Sequence, residues 1–190
     1  MKGVVMAGGA ATRFDRRVEK GILEVGGIPL LERAVTALST RGIDSVTVAV
    51  TGRTPETERL AARLGVDVLT TSGMGYHEDT LELVGLMDRY VSLNVDVPFV
   101  SSAHVTALMD RSKSRSAAAV VPRTLCIMEP GPRSVAVDSD GRTMVWVGLN
   151  IVSGDRDTDL VVLDDDVLSV NVNDDEGLRV ADRLARERNL

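Results

Sequence analysis

A short apolar run, Val4-Val5-Met6, leads into Ala7-Gly8-Gly9, and Thr12, Arg13 and Lys20 follow soon after. Small residues after a strand let the backbone come close to a phosphate chain, with N–H groups that can point at it. Arg13 and Lys20 add two fixed positive charges. The set suits a nucleoside triphosphate, and transfer of its nucleotide with loss of pyrophosphate. It is not a Walker P-loop, which needs G-x-x-x-x-G-K-[ST]. Nor is it a dinucleotide fingerprint: G-x-G-x-x-G is absent, and no acidic residue closes a second strand at the right distance. Of 22 basic residues only Lys2, Lys20 and Lys113 are lysine. A lysine in the phosphate loop of an arginine-using chain points to a need for a compact ammonium.

Two further segments carry chemistry. Asp96, in Leu93-Asn94-Val95-Asp96-Val97-Pro98, closes an apolar strand and projects into the crevice where open α/β sheets bind ligands. Thr71-Ser72-Gly73-Met74-Gly75-Tyr76-His77-Glu78-Asp79 directly follows the third strand and reads as a flexible turn running into a helix, with His77 at the helix terminus.

The elements that must position these residues alternate. Strands are expected at Val4–Met6, Ser45–Val50, Val66–Thr70, Tyr90–Val95 and Ala117–Val121. Helices are expected at 29–38 with Pro29 in the first turn, at 55–64 capped by Thr54, at 77–89, and at 102–111 capped by Ser101 or Ser102. Gly42 and Gly65 close the first two helices. The alternation predicts an α/β fold, a mostly parallel sheet with helices on both faces, and near-continuous apolar strands fit a sheet buried on both sides. Residues 123–133 read as an excursion. Ser134–Val137, the turn at 138–141 and Thr143–Val147 read as a β-hairpin. A loop rich in Asp and Gly spans 153–159, Leu160–Leu163 and Leu168–Val172 read as strands, and Asp174–Arg188 reads as a closing helix capped by Asn173.

A chain of 190 residues suggests one domain, 1–190. An apolar fraction of 44% and a charged fraction of 26% are ordinary for a globular protein. No run crosses a bilayer and no leader precedes the first strand, so a cytoplasmic protein without a membrane span is expected. Cys126 alone forbids an internal disulfide, and His77 and His104 are too few for zinc. A net charge of −6 argues against a nucleic-acid partner. Scarce lysine and abundant aspartate suggest a GC-rich, salt-adapted source.

The opening resembles the signature of nucleotidyltransferases of the sugar-nucleotide and cofactor type, A-G-G-x-G-x-R-M followed by K-P-L. Ala11 stands where that pattern has its third glycine, and Gly21 where it has proline. The 71–79 segment, the strand Gly148-Leu149-Asn150-Ile151-Val152-Ser153 and the turn Ser169-Val170-Asn171-Val172-Asn173-Asp174-Asp175 are similar to those of the archaeal-type adenosylcobinamide-phosphate guanylyltransferases. That resemblance runs over essentially the whole chain; only 123–145 stands apart. It implies a Rossmann-like nucleotidyltransferase fold and transfer of GMP from GTP to adenosylcobinamide phosphate in cobalamin synthesis.

The resemblance also implies roles. Ala7, Gly8, Gly9, Thr12, Arg13, Lys20, Ser72, Gly73, Gly75, Asp79 and Asp96 would bind the nucleotide, with Asp79 or Glu78 reading guanine. Arg13 and Lys20 would be catalytic, and Asp96 would hold Mg²⁺. Gly148, Asn150 and Asn171 would face the acceptor. The hairpin 134–147, with Trp146, would form an acceptor or homodimer surface or cover the sheet. Molybdenum-cofactor guanylyltransferase, whose D-K pair would be Glu19-Lys20 here, is the alternative. Behind it stand a sugar-1-phosphate nucleotidyltransferase, for which 190 residues is short, and a non-catalytic nucleotide-binding module.

Overall fold

The computed structural model describes residues 1–9, 11–14, 18–131, 134–155 and 157–190. Residues 132–133 of the expected excursion and 156 of the expected loop 153–159 lie outside the described residues. In chain order the elements are β1 (Lys2–Met6), β2 (Glu24–Val25), β3 (Ile28–Pro29), α1 (Leu30–Leu38), β4 (Ser45–Val50), α2 (Pro55–Arg63), β5 (Asp67–Thr70), α3 (Tyr76–Met87), β6 (Arg89–Asn94), α4 (Ser102–Arg111), β7 (Ser116–Pro122), β8 (Val135–Val137), β9 (Thr143–Ser153), β10 (Thr158–Val162) and α5 (Asp175–Arg188). Short 3₁₀ turns occupy Lys20–Ile22, Arg123–Leu125 and Asp166–Ser169.

The main sheet runs β10-β7-β9-β6-β1-β4-β5, with β8 paired to β9. Strands β6, β1, β4 and β5 are mutually parallel, as are β10 and β7, while β9 is antiparallel to β6, β7 and β8. The sheet is thus mostly parallel but mixed. The carboxyl ends of β1, β4, β5 and β6 share one edge. The strand order reverses between β1 and β6, the place where such sheets open a crevice.

The hairpin's return strand and the strand at 148–153 are one element. β9 enters the middle of the sheet rather than making a detour at its margin. Its pairing slips between Ala118 and Val120 of β7. Gly148 lies in the slip with φ +90°, and a Cβ there would stand 3.0 Å from Asn94 Nδ2 and 3.2 Å from Val97 Cγ2. A side chain would meet both strain and contact, so glycine lets β9 bend around the end of β6.

Helices lie on both faces, unequally. Leu31 and Leu38 of α1, Leu60 and Ala61 of α2, Val105 and Leu108 of α4 and Ala181 and Leu184 of α5 share one core with Val5, Val48, Leu93, Leu149 and Ile151. On the other face α3 alone packs Leu83 on Val4, Ala49 and Tyr90. Burial pushes the Tyr90 hydroxyl pKa up. α3 reaches β9 at Val152 and Asn150, but among the described residues no helix covers β7 and β10 on that face, and Trp146 remains 38% exposed.

Other expectations shift at the ends. Pro29 precedes α1 at its N-cap position. Leu168–Val172 is not a strand: Asp165 Oδ1 accepts from Val167 N at 3.2 Å and turns 166–169 into a 3₁₀ coil. The first strand of that region starts earlier, at Thr158. Asp174, not Asn173, caps α5 by accepting from Gly177 N at 2.8 Å. Thr54 sits at the N-cap of α2, but its hydroxyl turns to Thr51 instead.

Gly21 replaces the proline of the resembled pattern because α2 leaves no room. A Cβ on it would lie 2.5 Å from Thr57 Cγ2. Gly21→Ala should lower stability by about 1–3 kcal/mol through overpacking. Adding Thr57→Ala, which removes a buried hydroxyl that has no hydrogen-bond partner among the described residues, should recover most of that loss in urea denaturation. A double variant no more stable than Gly21→Ala would contradict the contact.

Candidate active site

The carboxyl ends of the strands build a cleft of about 270 Å³, lined by Gly8 and Gly9 after β1, Arg53 after β4, Gly73, Gly75 and Tyr76 after β5, and Asn94 and Asp96 after β6. Its floor is held by hydrogen bonds that continue the sheet. Ala7 N donates to Ala49 O at 2.9 Å, and Val95 N donates to Met6 O at 3.1 Å. Thr51 Oγ1 donates to Gly8 O at 3.0 Å. A Cβ on Gly8 would be 2.5 Å from Thr51 Cγ2, so glycine is what lets the first loop lie on β4.

Lys20 enters this cleft from its own 3₁₀ turn. Its Nζ donates to Asp96 Oδ2 at 2.7 Å and to Asn173 Oδ1 at 2.5 Å. Both members of the ion pair are largely buried. Val172 N donates to Asp96 O at 2.8 Å, tying the segment before α5 to the same aspartate. Among the described residues, Asp96 Oδ1, Asn94 Oδ1 and Asn171 Oδ1 are buried and have no hydrogen-bond partner. Unsatisfied buried oxygens are costly and mark a place where a cation or ligand donor fits. Among the described residues no cluster of three His, Cys, Asp or Glu side chains could hold a metal. The available donor set is instead one carboxylate with amide oxygens, which is hard-cation chemistry.

The loop 71–75 is fixed by Asp79. Its Oδ1 accepts from Gly73 N at 2.9 Å and from Ser72 Oγ at 3.3 Å. Asp79 is buried, and one of its oxygens therefore shapes the loop instead of standing free in the cleft. Glu82 Oε2 accepts from Ser72 N at 3.2 Å. Arg53 reaches across and donates from Nη2 to Gly73 O.

The expected site residues divide among neighbouring cavities. Gly8, Gly9, Lys20, Gly73, Gly75, Asp79 and Asp96 line the cleft; Ala7 is core, and Ser72 braces the loop. Thr12 lies away, in a groove with Glu19, Arg53 and Glu56. Arg13 lines a separate cavity of about 210 Å³ with Glu129, Trp146, Asn171 and Asn173. Gly148 and Asn150 line a groove of about 900 Å³ on the uncovered sheet face, with Trp146, Leu81 and His77. Tyr76 and Asn94 line both this groove and the cleft, and Asn150 Nδ2 donates to Tyr76 Oη at 3.4 Å.

Arg53, Tyr76, Asn94 and Asn173 were not among the expected site residues. Tyr76 and Asn94 lie inside the motifs that drew attention to their neighbours. Arg53 could have been found from its place just beyond an apolar strand.

A family model for the MobA-like NTP transferase domain matches residues 3–131. The chain belongs to this family. The MobA-like match takes in Ala7 to Lys20, the loop 71–79 and Asp96, and stops before Gly148, Asn150 and Asn171. Over its full length the chain is 26% identical to the adenosylcobinamide-phosphate guanylyltransferase of Methanocaldococcus jannaschii, covering all of both chains. The fold is shared with a putative glucose-1-phosphate thymidylyltransferase from Bacillus anthracis (TM-score 0.72, 14% identity, 98% of this chain and 96% of that one). It is shared too with a nucleotidyl transferase from Methanothermobacter thermautotrophicus (TM-score 0.67, 20% identity, 98% of each). The chain is a nucleotidyltransferase. No helix among the described residues is long and apolar enough to cross a membrane.

Asp79→Ala removes the acceptor that holds Ser72 and Gly73. Nucleoside triphosphate affinity, read by calorimetry, should fall about tenfold, since a hydrogen bond to a charged group contributes roughly 1.5–3 kcal/mol. Asp79→Asn keeps an acceptor and should retain most of the affinity. Equal affinity in Asp79→Ala would mean that the loop holds its shape without the carboxylate.

Proposed function

We propose that this chain transfers GMP from GTP to adenosylcobinamide phosphate, releasing pyrophosphate. The observation that carries the reading is the end-to-end match to the Methanocaldococcus enzyme of that name. The cleft and the adjoining groove support it physically. A groove of about 900 Å³ with an exposed tryptophan suits a bulky, partly apolar acceptor better than a sugar phosphate. Tyr76 and Asn94, at the junction, lie where the acceptor phosphate would meet the nucleotide.

The acceptor phosphate attacks the α-phosphorus of GTP in line. A new P–O bond forms, the bond from the α-phosphorus to the bridging oxygen breaks, and its electron pair leaves with pyrophosphate. The acceptor phosphate is already ionised near pH 7, so no side chain need remove a proton. This fits a cleft without a nucleophilic Ser–His or Cys–His pair. Gly8 and Gly9 let the backbone approach the phosphates. Lys20, released from Asp96 and Asn173, would place its ammonium where negative charge develops on the α-phosphate. Arg13 would approach the same phosphates from the far side of Asn173. Arg53 and the loop 73–75 would hold the base, with the second oxygen of Asp79 available to guanine N–H donors.

Asp96, with Asn173 Oδ1 close by across Lys20 Nζ, would hold Mg²⁺ through hard oxygens, and Mg²⁺ bound there would neutralise the triphosphate and the pyrophosphate leaving group.

Pyrophosphate release from GTP should require both Mg²⁺ and adenosylcobinamide phosphate. Release only with a molybdenum-cofactor phosphate acceptor would assign the other guanylyltransferase reaction, and GTP binding without release from either would overturn both and point to another phosphate acceptor. Lys20→Ala should lower kcat by on the order of 10²–10³-fold with a smaller change in GTP affinity. Asp96→Ala should abolish metal-dependent turnover, and full activity with Mg²⁺ would remove its proposed role.

A further inference from the structure

Helix α2 is capped by a residue that is distant in sequence. Glu19 Oε1 accepts from Glu56 N at 3.0 Å and Oε2 accepts from Thr57 N at 2.7 Å. Both amides belong to the first turn, where the helix itself supplies no acceptor and its dipole favours a carboxylate. Thr54 is already at the N-cap and is a residue type that caps well. Its hydroxyl instead accepts from Thr51 N at 3.1 Å and donates to Thr51 O at 3.2 Å. The chain thus directs its local cap to another task and recruits a carboxylate from the phosphate-loop segment.

The residue after Glu19 is Lys20, and the next, Gly21, lies against Thr57 of the same helix. The backbone is therefore fastened to α2 on both sides of Lys20. A lysine side chain is a flexible four-carbon stem with a point charge at its end. Where the ammonium can go depends on where the stem begins. Here it begins at a place fixed by Glu19 and ends on Asp96 and Asn173.

We propose that Glu19 is a positioning residue for nucleotidyl transfer: by gripping the first turn of α2 it fixes the Lys20 backbone, and so sets where the ammonium meets the α-phosphate. The inference rests on the transfer reaction proposed above. One of its readouts does not depend on that reaction.

Only three lysines are present, and Lys2 and Lys113 are exposed. In nucleotide-free protein labelled with ¹⁵N-lysine, the Lys20 ammonium should give a separate signal, slowed in proton exchange by its two acceptors. Glu19→Ala should remove that signal. It should also lower kcat for guanylyl transfer roughly 10- to 100-fold, the scale of a misplacement of about 1 Å, while KM for GTP changes by less than about threefold. Glu19→Gln keeps one oxygen for Thr57 N and should fall between. A lower Tm with the Lys20 signal and kcat both unchanged would overturn the proposal and leave Glu19 as a helix cap alone. If Glu19→Ala does not fold, Glu19→Gln decides by the same two readouts. A Lys20 signal that depends on Glu19, in a wild-type protein that transfers nothing to the acceptor, would support the positioning contact and overturn the reaction.

Discussion

One ammonium holds the active edge of this protein together. Lys20 joins the segment after the first loop to Asp96 at the end of β6 and to Asn173 before α5. These three pieces are far apart in sequence, and the pair is largely shielded from water. A shielded ion pair contributes little net stability, but removing one partner leaves an unpaired charge and is costly. In the proposed reaction the same ammonium would meet a phosphate in the cleft. Structure and chemistry therefore compete for one group, and a polyanion entering the cleft is what would release it. Thr51 and Glu19 support the arrangement from either side, one by holding Gly8 and the other by holding α2.

The second constraint is the antiparallel strand β9. Its insertion between β6 and β7 widens the sheet on the side away from β5, while α3 packs mainly on the strands around β1 and reaches β9 at Val152. The uncovered part becomes a wide groove that shares Tyr76 and Asn94 with the cleft. The bend at Gly148 brings β9 around the end of β6, so the cleft and the groove meet at one corner. The family match, residues 3–131, ends before β9.

Much of this was legible in the sequence because it is local. Ser45–Val50 and Ser102–Arg111 occur with the expected bounds, and the glycine loop, the loop at 71–79 and Asp96 do converge on one cleft. What was not legible depends on distant partners. The apolar run Leu168–Val172 looks like a strand, but it finds no strand to pair with and coils after Asp165. Asn173 and Asp174 are both good caps; Lys20 takes the first, so the second serves the helix. Nothing near Glu19 announces a helix beginning at Pro55. Arg13 looks inseparable from Lys20 in sequence, yet the two side chains face different cavities.

The claim that Lys20 and Asp96 act as one unit is most directly tested by a double-mutant cycle on nucleotide-free stability, using Lys20→Met, Asp96→Asn and the pair. The account predicts a coupling of about 1–3 kcal/mol, with the double variant less destabilised than the sum of the singles. Strict additivity would contradict it, and would mean that the ammonium and the carboxylate lie near each other without holding the site together.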